Sequence, residues 1–113
     1  MHLIDIKILL ISRKMEFTDL EPDQVEKAAN MIKAISHPMR LAILGYLGEN
    51  KELSVTEIHR LLKIEQSTAS HHLGILKDKG ILSSMRKGKN TLYYLKRKNL
   101  SNLIKCISEC ACD

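Results

Sequence analysis

Five side chains able to exchange hydrogen bonds with a partner occupy six consecutive positions: Gln66, Ser67, Thr68, Ser70 and His71. On a helix advancing about 100° per residue, Ser67, Ser70, His71, Gly74, Lys77 and Asp78 share one side, and Ala69, Leu73, Leu76 and Gly80 share the other. The first side is slim and hydrophilic. A helix enters the major groove of duplex DNA only when its outer face is slender and carries donors and acceptors for base edges. A polar helix face also satisfies the simpler need for solvation, so its neighbours decide the reading.

One such neighbour is the stretch Arg86, Lys87, Gly88, Lys89, Asn90, which holds no acid. Placed on a turn, Arg86, Lys87, Lys89 and Asn90 suit phosphates or the adjacent minor groove, contacts that position a protein without specifying sequence. His72 lies about 100° from His71 and borders the apolar side. It is expected to be structural and hydrogen-bonded within the fold, and that angle argues against the two histidines sharing a metal.

A second kind of chemistry sits near the end of the chain. Cys106 and Cys110 are one helical turn apart, and Cys112 points elsewhere if the helix continues. Two thiolates at that spacing can share one soft ion. A third ligand requires the chain end to unwind or a second copy's tail to approach. The competing chemistry is a thiol switch, oxidation or persulfidation, which demands exposed, low-pKa thiols. An odd number of cysteines in one tail does not make a disulfide framework.

Five helices and a hairpin must position these groups. Thr18 or Asp19 can cap a first helix to about Ser36, with Val25, Ala28, Ala29, Ile32 and Ile35 at helical spacing. Pro38 suits the first turn of a second helix, carrying Leu41, Ile43, Leu44 and Leu47 to Gly48. Ser54 and Glu57 form a capping-box pattern opening a third through Leu62, and a turn at residues 63–66 leads to a fourth, from about Ser67 to Lys79, stopped by Gly80. Helix, short turn, helix is the helix-turn-helix pattern. The period then becomes two over residues 81–86 and 91–96, a two-stranded hairpin with the basic stretch at its tip. Asn99 or Ser101 opens a last helix with Leu100, Leu103, Ile104, Ile107 and Ala111 on one stripe, suited to a dimer seam.

A chain of 113 residues, 44% hydrophobic and 4% aromatic, supports one modest core of aliphatic side chains. Residues 1–16 read as an extension that an alternative start at Met15 would largely remove, and residues 17–113 as the domain. The net charge is +5, and residues 77–98 hold eight Lys or Arg against the single acid Asp78. Such a local excess implies an acidic partner. The apolar segment at residues 3–11 is interrupted by Asp5 and Lys7 and falls far short of the ~20 residues that span a bilayer. It also lacks the flanks of a signal peptide, so a cytoplasmic chain without membrane contact is expected. No glycine-rich phosphate loop or acid paired with a nucleophile is present, which argues against an enzyme.

Three stretches resemble the ArsR/SmtB family of winged helix-turn-helix repressors: A-I-S-H-P-M-R-L-A-I-L at 34–44, Q-S-T-A-S-H-H-L-G-I-L at 66–76, and G-I-L through R-K-G-K-N-T-L-Y-Y-L at 80–95. The resemblance implies a mostly α winged helix, five main helices plus a two-stranded wing. It also implies a homodimer paired through its first and last helices on an imperfect inverted repeat of double-stranded DNA, with repression relieved by an inducer. Glu65 stands where the family often has a capping Ser, and Glu caps less well. The family's Cys-x-Cys inducer site is absent, since Ser54 and Thr56 occupy that stretch. Its other familiar site is poorly matched, with no His on the last helix and only Glu109 and Asp113. Some members bind arsenite through cysteines near the end of that helix. Cys106, Cys110 and Cys112 are therefore the expected site for a thiophilic ion such as arsenite or a soft metal, the thiol switch being the alternative. A winged helix that has turned from DNA to protein partners is a further alternative, and would bear an exposed apolar patch on the fourth helix.

Overall fold

The computed structural model describes residues 19–48 and 50–112. Expectations that fall on the extension at residues 1–16, its apolar stretch at 3–11, the cap at Thr18 or Asp113 lie outside the described residues.

Helix α1 (Pro22–Ile35) starts later than a cap at Asp19 would place it. Pro22 takes the first helical position, where its missing N–H costs nothing, and Glu21 becomes the cap as Gln24 Oε1 accepts the Glu21 N–H at 2.9 Å. Helix α2 (Pro38–Leu47) repeats the device with a different residue: the Nδ1 of His37 accepts the Met39 N–H at 3.1 Å. Gly48, with φ 55°, ends it.

Three residues of α2, Ile43, Leu44 and Leu47, are almost wholly buried, and the helix touches every later helix and the sheet. Around it close Ile58, Ala69, Leu73, Leu76, Ile81, Leu82, Leu95 and Ile104. Each fully buried Leu or Ile contributes roughly 1.5–3 kcal/mol. The core therefore holds the fourth helix by its apolar side and leaves the other side free.

Helix α3 (Val55–Leu62) opens with the expected reciprocal box: Ser54 Oγ accepts the Glu57 N–H at 3.1 Å and Glu57 Oε1 accepts the Ser54 N–H at 3.0 Å. The turn to α4 (Gln66–Asp78) is one residue shorter than expected, because Gln66 already belongs to the helix. Lys63 makes that turn at φ 56°, a left-handed conformation that costs a non-glycine residue about 1–2 kcal/mol. His59 braces it: Ile64 O can only accept, so His59 Nδ1 donates to it at 3.2 Å. At the far end of α4, Gly80 has φ 76°, its N–H bonds Lys77 O, and the Ile81 N–H bonds Leu76 O. That is a complete Schellman motif, with Ile81 and Leu76 buried together.

Strands β2 (Leu82–Lys87) and β3 (Asn90–Leu95) pair antiparallel from Leu82↔Leu95 to Lys87↔Asn90. Only Gly88 and Lys89 remain as turn, and positive φ at Gly88 alone is the type II′ arrangement. A third strand, β1 (Leu53–Ser54), pairs with β3 through Leu53↔Tyr93 and Ser54↔Leu92, so the expected two-stranded wing hairpin belongs to a three-stranded sheet. Helix α5 (Leu100–Ala111) packs on α2 and buries only Ile104 among its residues.

Candidate nucleic-acid interface

Helix α4 is split cleanly. Ala69, Leu73 and Leu76 are fully buried, whereas Gln66, Ser67, Thr68, Ser70, His71, Gly74 and Lys77 are all exposed. Among the described residues no large apolar side chain is exposed on α4; the exposed ones are Val25, Ile32, Tyr46, Leu61, Leu103 and Ile107. That removes the patch a protein-binding version of this helix would need.

The N-terminus of α4 carries no side-chain cap, since Glu65 makes no hydrogen bond to it. Its unpaired N–H groups and the aligned helix dipole favour an anion there. The wing bends toward the same place. Lys89, Asn90 and Thr91 form one wall of a groove, with Ser54 and Thr56 at the start of α3 and Gln66 at the start of α4 on the other. Gln66, Lys89 and Asn90, distant in sequence, are thus brought together. The contributions of Ser54 and Thr56 were not anticipated; the capping box that marks a helix N-terminus was the available signal.

Arg86, Lys87, Lys89 and Asn90 are exposed at the tip. Lys87 does have an acid nearby, contrary to the reading of the stretch alone: its Nζ lies 3.6 Å from Glu52 Oε1. Both groups are well exposed, so the pair is worth little and phosphate can compete for the lysine. Arg86 Nε donates to Gly88 O at 3.4 Å, leaving the rest of the guanidinium free to reach outward.

His72 is buried as expected, but the expected hydrogen bond is missing. Its Nδ1 is sealed from solvent without a partner, and its ring packs 4.7 Å from that of His37 and 5.6 Å from that of His71. Burial lowers its pKa below the ordinary histidine value, helped by the positive charge that His37, Arg40 and His71 can carry.

Cys106, Cys110 and Cys112 are exposed free thiols along the end of α5. Among the described residues no three His, Cys, Asp or Glu side chains converge as a metal site, so one chain does not gather the three sulfurs around an ion. No helix among the described residues is long and apolar enough to cross a membrane.

Known proteins match this architecture. Residues 35–84 match the family described as a helix-turn-helix domain. An HTH-type transcriptional regulator of Methanocaldococcus jannaschii is 40% identical over 87 residues, which cover 77% of this chain and 98% of that protein. The crystal structure of the transcriptional repressor PagR of Bacillus anthracis superposes with a TM-score of 0.69 at 36% identity, covering 77% of this chain and 99% of that one. The homodimeric winged helix-turn-helix DNA-binding domain of a possible ArsR-family regulator from Mycobacterium bovis gives 0.72 at 26% identity, over 79% of this chain and 82% of that one. With these motifs, this fold and these relatives, the chain belongs to the ArsR/SmtB family of winged helix-turn-helix transcriptional regulators, which act by binding DNA.

Proposed function

We propose that this regulator is a homodimeric repressor that presents α4 twice to an imperfect inverted repeat and is released by a thiophilic inducer. The observation that carries the reading is the exposed ridge of Ser67, Ser70 and His71, flanked by the basic wing tip and backed by a fully buried apolar side. Ser and His suit base edges or phosphates at the entering end of the helix, whereas Arg86, Lys87 and Lys89 suit phosphates.

Pairing through α1 and α5 is supported by what those helices leave uncovered: Val25 and Ile32 on α1 are 40% and 57% exposed, Leu103 and Ile107 on α5 44% and 42%. The Mycobacterium bovis domain is described as homodimeric.

Cys106 and Cys110 lie on α5 and Cys112 caps its end, beside the proposed seam, so an ion bound there can favour one arrangement of the dimer over another. It acts only through its differential affinity for the DNA-bound and free states. Cys106 and Cys110 can share arsenite or a soft metal ion between them, and a third sulfur requires the partner's tail or an unwound chain end. Exposure of all three thiols also supports the second reading, a redox or persulfide switch.

A gel shift on the DNA upstream of the protein's own gene, titrated with salt, tests the reading. Affinity should fall steeply as salt rises. Cys106→Ser or Cys110→Ser should bind DNA as the wild type does and lose release by arsenite; unchanged release would remove the tail from sensing. Release by arsenite under reducing conditions selects the ion, and release only by an oxidant or persulfide donor selects the switch.

A further inference from the structure

Where α2 begins against α4, four nitrogen-bearing side chains meet without an acid among them: His37 and Arg40 from α2, His71 and His72 from α4. Two of their polar atoms are sealed from solvent and unpaired, Arg40 Nε and His72 Nδ1, and His72 as a whole is only 9% exposed. An unpaired buried polar group is costly, and two together call for a partner. The N-terminus of α2 adds the positive end of its dipole to the same spot. The third ring, His71, stands on the exposed ridge of α4, so the joint lies beside the surface that faces DNA.

We infer that this joint is a seat for one phosphate oxyanion, held by the Arg40 guanidinium and the His71 and His72 imidazoles. The inference rests on the DNA-facing reading of α4 and extends the interface to α2. The oxyanion accepts from Arg40 and stabilises a proton on His72, which turns the unpaired Nδ1 into a donor. The Nδ1 of His37 already accepts the Met39 N–H, so that atom is not offered to the oxyanion. The same oxyanion chemistry comes from a DNA backbone phosphate or from free inorganic phosphate.

The test uses the full chain and the upstream duplex. Arg40→Gln should weaken binding about tenfold and reduce the slope of log affinity against log salt by about one, as loss of one phosphate contact does. Arg40→Lys should keep the slope, since an ammonium also serves a phosphate. An unchanged slope in a folded Arg40→Gln overturns the seat. Nuclear magnetic resonance of the wild type gives an answer that needs no variant. The duplex should raise the His72 pKa while inorganic phosphate leaves it in place; an equal rise with inorganic phosphate assigns the seat to the free anion, and no rise with either overturns it. Ser70→Ala with His71→Ala separates the two levels. If that variant loses operator binding while Arg40→Gln does not, only the seat fails; if the wild type ignores duplex DNA, the parent reading fails.

Discussion

Two exposed surfaces of this small regulator differ in kind. On α4 and the wing the exposed side chains are polar or charged and no large apolar one is among them, whereas α1 and α5 expose Val25, Ile32, Leu103 and Ile107. Burying an aliphatic side chain is favourable and burying a cation is not, so the two surfaces demand different covers. The apolar helices suit a second copy of the chain, and the basic ridge suits a polyanion. The contrast is what the proposed pairing through α1 and α5 rests on.

The largest way to break the contrast is to make the apolar surface resemble the polar one. Ile32→Glu with Ile107→Glu touches residues already 57% and 42% exposed, so the fold should survive while sedimentation shows monomers. Operator affinity should then drop on the order of a hundredfold or more, because each recognition helix loses its tethered mate. Ser70→Ala with His71→Ala attacks the other surface. It should cost about 1–3 kcal/mol in discrimination between operator and random duplex, and leave dimerisation intact. Smaller still, Lys89→Gln should weaken operator and random DNA alike and lower the salt slope by about one.

The smallest effect concerns a cap. Glu65→Ser supplies the hydrogen-bonding side chain that α4 lacks, and should raise stability by about 0.5–2 kcal/mol in chemical denaturation.

Legibility in the sequence followed the range of the interactions. Local rules gave the Ser54–Glu57 box, Pro38, Gly80 and the two sides of α4, because each depends on residues three or four apart. The start of α1 moved from Asp19 to Glu21 because two local signals competed and Pro22 won. β1 escaped because two residues have no periodicity to read; it exists only by pairing with Tyr93 and Leu92. The left-handed turn fell on Lys63, a residue with no preference for it, and is held by His59. Within the interface the ridge was readable from one helix, whereas the Lys87–Glu52 pair and the tilted ring contact of His37 with His72 join segments some 35 residues apart. The missing hydrogen bond to His72 belongs to that long-range class.

The central claim is that α4 meets DNA twice, in symmetric copies. Hydroxyl-radical footprinting of the upstream duplex tests it most directly: two protected patches should appear on one face of the helix, about ten base pairs or a multiple of that apart, and both should vanish with Ser70→Ala and His71→Ala. A single patch, or protection that survives that variant, would contradict it.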